Sequence, residues 1–330
     1  MKKYLIIDDE NDLYRHIFKD LFYTSSYDIK EIKKINIDSK MFEIIYKIHF
    51  SNRINKYVIL PFKNLWNNYY TLAKYKFEST TDYYLIFLNG SIRYHYSYEF
   101  LKEIKEKNPN IHFILLMYDN WDSIVFKDKF RKILRLFNYV FSFDVNDCKK
   151  YGFIHLYSTF SRPDNMKYSN ALSSDLFFIG WGQGRLGLLK GVAKKLGSIS
   201  QYKSDIRIRG VKLKEQESIK GVTYNTSMTY DNELLHVYNT NCVLEIVKEY
   251  QSGITLRTCE AIAFNKKLMT NNTFLRDMPF YDPRFMRIIE SPEDIDTDFL
   301  RSDIDVDYKK TDFFSPLNII KKLEELEQNK

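Results

Sequence analysis

Ser252-Gly253-Ile254-Thr255-Leu256-Arg257-Thr258-Cys259-Glu260-Ala261, followed by Phe264-Asn265-Lys266-Lys267-Leu268-Met269-Thr270-Asn271-Asn272, is the stretch on which the reading turns. A small residue and a glycine open a helix, Arg257 and Glu260 project three residues apart from its first turns, and a short strand follows. Gly253 lets backbone approach a phosphate, and the helix start offers unpaired N–H groups with partial positive charge. Arg257 can pair with a diphosphate and Glu260 can accept from ribose hydroxyls. The local chemistry points to a nucleotide-sugar site. The same spacing also fits a surface helix with an i, i+3 ion pair.

The segment resembles the donor-binding segment of GT-B glycosyltransferases, in particular bacterial enzymes that build capsule, lipopolysaccharide or other surface glycans. The resemblance extends more weakly to Asp175-Leu176-Phe177-Phe178-Ile179-Gly180-Trp181 and to the stretch from Phe143 to Phe153. It implies an α/β fold of two Rossmann-like domains whose parallel sheets face an interdomain cleft, and transfer of a sugar from a nucleotide-sugar donor to a surface glycan or lipid-linked acceptor. Glu260 then holds the donor ribose. Ser252 stands where many retaining members carry a second glutamate, so that acidic partner is absent.

Length and composition agree with this plan. A chain of 330 residues, 44% hydrophobic, fits two domains better than one core. Three well-separated cysteines, Cys148, Cys242 and Cys259, predict neither a disulfide frame nor a zinc cluster. No apolar run reaches the roughly 18 residues that span a bilayer, and the chain enters a strand without a signal peptide. The expectation is a soluble, cytoplasmic protein. The net charge of +7 is unevenly spread, because acids outnumber bases nine to three between Glu290 and Asp312. The basic remainder favours anionic partners such as sugar nucleotides, phospholipid surfaces or nucleic acid, without choosing among them. No nucleic-acid recognition motif is present, so nucleic acid is not an expected partner.

Continuous apolar strands alternate with amphipathic helices in both halves, which indicates parallel sheets covered on both faces. In the first half the strands are read at Tyr4–Ile7, Tyr83–Leu88, Ile111–Met117 and Tyr139–Phe143. Helices are read at 12–22, 98–107 and 124–137. In the second half strands are read at 175–181, 205–209, 242–246 and 267–270, with helices at 186–196, 231–238 and 255–263. The polar run that follows Ser158 marks a linker. The expected domains are 1–160 on the acceptor side, a linker at 161–174, and a donor domain with a C-terminal helix at 175–330.

Gly182-Gln183-Gly184-Arg185-Leu186-Gly187 matches G-x-G-x-x-G between a strand and a helix, so a dinucleotide-dependent oxidoreductase is an alternative. The acidic residue expected at the end of the next strand is replaced by Arg209, which can instead accept a 2′-phosphate. A non-catalytic module binding glycan or partner protein is a further alternative. In the GT-B reading the same loop lies near the donor phosphates, and the donor set is Gly182, Gly184, Arg185, Ser252, Gly253, Thr255, Arg257 and Glu260. Ligands bind beyond the carboxyl ends of strands in such sheets. The acceptor-side base is therefore sought among Asp119, Asp8 and Asp9, with Asp119 preferred because Trp121 nearby offers an aromatic face to a sugar. Asn89, Gly90 and Asp122 can line the same site. The D-x-D runs at Asp294-Ile295-Asp296-Thr297-Asp298 and Asp303-Ile304-Asp305-Val306-Asp307 lack the glycine and glutamate of a calcium loop and read as solvated acids. No metal and no other cofactor is expected, because Arg257 and the helix end can meet leaving-group charge. The apolar stripe Phe126, Phe130, Ile133, Leu134 and Phe137 is ringed by lysines and arginines. It packs on the sheet with a solvated basic face, or rests that face on the inner surface of a membrane.

Overall fold

The computed structural model describes residues 1–8, 12–51, 54, 60–124, 127–164, 166–249, 251–309 and 311–329. The chain forms two compact units, one of Met1–Tyr14 with Lys19–Leu156 and the other of Arg15–Phe18 with Tyr157–Lys330. The division falls just before the stretch expected to act as linker. Phe160 is the reason, since its ring is buried in the core of the second unit. His16 belongs there too, with its imidazole 2.7 Å from Asp231 and its carbonyl accepting from the Ser161 N–H.

The first unit holds β1 (Lys2–Asp8), β2 (Ile29–Lys33), β3 (Asp82–Leu88), β4 (Ile111–Met117), β5 (Tyr139–Ser142) and β6 (Ile154–His155). They form one parallel sheet in the order β2-β1-β3-β4-β5-β6. Strands β1, β3 and β4 are buried over most of their length, as continuous apolar runs between two helical layers require. Each fully buried Leu or Ile in them contributes roughly 1.5–3 kcal/mol of transfer free energy. Ser97 opens the helix Tyr98–Lys107 by accepting from the Phe100 N–H at 3.1 Å.

The second unit holds β7 (Ser174–Trp181), β8 (Ser204–Arg209), β9 (Val222–Tyr224), β10 (Thr240–Glu245), β11 (Lys267–Thr270) and β12 (Met286–Ile288). Its parallel order is β12-β11-β10-β7-β8-β9. Counted from β7, this is the doubly wound order in which the chain starts at the centre, builds one side, then crosses over to build the other. The crossover lies between β7 and β10. In the first unit the corresponding point lies between β1 and β3. Both are places where connections leave in opposite directions and open a crevice beyond the carboxyl ends.

Several expected features take a different form. The helix expected over 12–22 is α-helical only over Asp12–Phe18 and continues as a 3-10 turn to Tyr23. The helix expected over 124–137 spans Lys127–Leu134, and Phe126 lies outside the described residues. Two of the late acids, Asp294 and Asp296, serve the backbone. Asp294 accepts from the N–H groups of Glu290 and Ser291 at 2.8 Å each, and Asp296 caps the helix Thr297–Arg301 through the Phe299 N–H at 2.9 Å.

Candidate functional site

In the second unit, β7 and β10 deliver their carboxyl ends side by side. Gly182 follows β7 closely packed, because a β-carbon there would fall 2.9 Å from Ile208 Cγ2. Gly184 has φ +76°, a left-handed conformation that glycine adopts freely, and the helix Leu186–Gly197 starts just beyond it. Arg185 reaches back, its guanidinium donating to the carbonyls of Trp181 and Ile246, and so ties the end of β7 to the end of β10. Trp181 stands 60% exposed at the rim, against Gly210.

After β10 the chain loops to the helix Leu256–Ala263. Gly253 takes φ +96°, and Thr255 caps the helix by accepting from the Arg257 N–H at 3.1 Å. A buried carboxylate holds this loop. Glu245, at the end of β10, accepts from the hydroxyls of Thr255, of Thr258 at 2.8 Å and of Thr270 at 2.6 Å. Asn272 adds a bond from its amide to the Gly253 carbonyl at 2.8 Å. The helix start is therefore fixed to the sheet by side chains from β10, from β11 and from the residues after it.

Arg257 and Glu260 are brought together, and they pair with each other. The other oxygen of Glu260 accepts from the Tyr230 hydroxyl at 2.6 Å. Beyond Arg257 the charges alternate, with Glu233 at 3.7 Å from Arg257 and itself paired to Arg209. Burial pushes the Glu260 carboxyl above its ordinary value despite the pull of Arg257 and Tyr230. Burial beside that carboxylate likewise raises the Tyr230 phenol well above the usual range. Glu260 is 1% exposed and Arg257 15%, so the arginine is the member a ligand can reach directly. Arg209, the alternative 2′-phosphate ligand, is engaged by Glu233.

In the first unit, the ends of β1 and β3 place Asp8, Asn89 and Gly90 at the crossover point. Asn89 is buried and donates to Asp119 at 2.9 Å while accepting from the Tyr118 N–H at 3.0 Å, which orients the loop after β4. Asp119 itself is exposed, and Asp122 pairs with Lys127 at 3.1 Å. Asp9 lies outside the described residues. Trp121 corrects the expectation of a sugar platform. It is 1% exposed, with its ring packed on Tyr151 at 4.8 Å, Phe153 at 5.9 Å and Phe130 at 6.0 Å. An indole buries more favourably in this aromatic cluster than it would at the loop surface.

Asp8 also lines a cavity of about 640 Å³ with Lys33, Lys34, Tyr46 and His95. Burial, with Lys34 and Lys63 nearby, drives the His95 imidazole well below its usual value, and Tyr46 holds its Nδ1 at 2.6 Å. Sequence reasoning passed over His95 and Tyr46, as it did Tyr230, Glu233 and Glu245. The available signal for His95 was its place five residues after Gly90, at the end of the helix that β3 feeds.

No protein-family model matches the chain, and no curated protein matches it. Solved structures do resemble it over nearly the whole length. A putative UDP-N-acetylglucosamine 2-epimerase from Listeria monocytogenes has a TM-score of 0.53 at 8% identity, covering 100% of this chain and 98% of its own. A structure described as trehalose-6-phosphate from E. coli bound with UDP-2-fluoro glucose has a TM-score of 0.53 at 11% identity, covering 98% and 96%. The fold is GT-B. At these identities the likeness is one of architecture, two parallel Rossmann-like sheets joined in this order.

Proposed function

We propose that the chain is a glycosyltransferase that takes a sugar from a nucleotide-sugar donor and passes it to a bacterial surface glycan or a lipid-linked acceptor. The observation that carries the reading is the start of the helix Leu256–Ala263, where a Thr255-capped helix end, the left-handed Gly253 and the paired Arg257 converge beside the β7–β10 crossover. A diphosphate is the ligand this arrangement suits, because the helix dipole and the guanidinium both favour compact negative charge. Both solved structures cited above carry a UDP-sugar in their descriptions, which is the same ligand class.

In this reading Arg257 takes the diphosphate, with Gly182, Gly184, Arg185, Ser252 and Gly253 around it. Glu260 holds Arg257 in place and accepts from the ribose in exchange for Tyr230. As the sugar leaves, charge develops on the terminal phosphate, and Arg257 with the helix end stabilises it without a metal ion. On the acceptor side, Asp119 or Asp8 takes the proton of the attacking hydroxyl. The test is release of nucleotide from UDP-, GDP-, TDP- and CMP-linked sugars, accelerated by a glycan or lipid-linked acceptor. Epimerisation of the sugar with no acceptor-dependent release contradicts transfer.

A further inference from the structure

Helix Lys40–His49 of the first unit turns part of its apolar surface outward. Tyr46 is buried, but Met41, Ile44, Ile45 and Ile48 are 44–62% exposed. Their i, i+3, i+4, i+7 spacing makes one continuous stripe along the helix. Phe62 and Leu65, exposed by 69% and 67%, belong to the turn that begins the segment Lys63–Tyr69. Phe62 sits at φ 62°, a left-handed conformation that residues with a β-carbon adopt at a cost, and its ring gains no burial there. More than half of the large apolar side chains that the described residues expose lie between Met41 and Leu65. Single exposed apolar residues are ordinary, whereas a set gathered on one segment marks an interaction face.

Charge selects the occupant. From Lys40 to Leu65 the sequence holds five bases, Lys40, Lys47, Arg53, Lys56 and Lys63, against one acid, Glu43. Glu43 is paired to Lys47 within the helix. Among the described residues the stripe is flanked by Lys40, Lys47 and Lys63 against Glu43 alone, so a second copy of the chain would bring like charges together. A bilayer with anionic headgroups satisfies both parts, since apolar side chains enter the acyl boundary while the basic groups meet phosphates. The helix Lys127–Leu134 turns its apolar Phe130 and Ile133 into the core and so presents no such stripe.

We propose that the helix Lys40–His49, with Phe62 and Leu65, seats the first unit on an anionic lipid surface. The proposal uses no donor-site residue, so it stands or fails separately from the glycosyltransferase reading. The test is flotation of the full chain with vesicles of phosphatidylcholine alone and of phosphatidylcholine mixed with phosphatidylglycerol. The chain should float with the mixed vesicles, and high salt should weaken the association. The double variant Ile44→Asp/Ile48→Asp should lose about tenfold or more in vesicle affinity while still unfolding cooperatively, because both side chains are more than half exposed. Lys127→Gln/Lys132→Gln should still bind. Failure of the wild type to float, or undiminished binding by Ile44→Asp/Ile48→Asp, overturns the proposal. A concentration-dependent dimer abolished by that double variant also overturns it, and makes the stripe a contact between copies.

Discussion

Arg257→Met should expose how the charges on the helix Leu256–Ala263 are balanced. In the wild type the Glu260 carboxylate is 1% exposed, with Arg257 on one oxygen and the Tyr230 hydroxyl at 2.6 Å on the other. Removing the guanidinium leaves a buried charge with a single hydroxyl donor, which costs about 3–5 kcal/mol. The loss should depend on pH. Burial already raises the Glu260 carboxyl above its ordinary value, with Arg257 pulling it back down, so without Arg257 it rises further. A carboxyl raised on folding binds its proton more tightly in the native state. Its contribution is therefore most favourable below the unfolded value and is lost as pH rises through the folded one. Urea unfolding at about pH 5 and about pH 8 should find the variant less destabilised relative to wild type in acid than in base. Adding Glu260→Gln should recover much of the loss, since the buried charge is then gone. A single variant within about 0.5 kcal/mol of wild type, or an equal loss at both pH values, refutes the argument.

Asp119→Asn keeps the size of the side chain and removes its basicity, so turnover should fall by about 10²- to 10⁴-fold with donor affinity nearly unchanged. If turnover survives that change and Asp8→Asn abolishes it, the base lies at the end of β1. Gly210→Ala places a β-carbon 2.4 Å from Trp181 Cε3 at φ +70°, and should cost about 1–3 kcal/mol while shifting tryptophan emission as the indole is displaced. An unchanged spectrum counts against that packing. Transfer assayed in excess EDTA should persist. Loss of activity restored by manganese would bring the acids from Asp294 to Asp307 back into consideration as ligands.

The local structure from Gly253 to Thr270 was legible in the sequence because its signals are local. Gly253, Thr255 and the strand Lys267–Thr270 each follow from turn, cap or apolar-run chemistry within a few residues. What lies around them was not. Tyr230 and Glu233 come from the helix preceding β10, and Glu245 ends a strand, so their approach to Arg257, Glu260 and the threonines is set by sheet order that no local pattern states. In the first unit, β2 was passed over because its sequence, Ile29-Lys30-Glu31-Ile32-Lys33, is short and largely polar, as an edge strand can be. The helix Lys40–His49 was passed over as well, and its outward stripe reads like a core face. Trp121 was placed by its neighbours in sequence, whereas its burial is decided by Tyr151 and Phe153, some thirty residues on. The boundary near residue 160 moved for the same reason, since Phe160 packs against residues far along the chain.

Calorimetric titration with UDP, GDP, TDP and CMP beside NAD and NADP tests the central claim most directly. The account predicts that one of the four nucleotides binds at a single site. For a nucleoside diphosphate, Arg257→Met should weaken binding by roughly 1.5–3 kcal/mol while affecting the bare nucleoside less, as expected for loss of a charge-assisted bond to the diphosphate. Binding of NADP with no binding of any of the four, or equal losses for the nucleoside and its diphosphate, would contradict it.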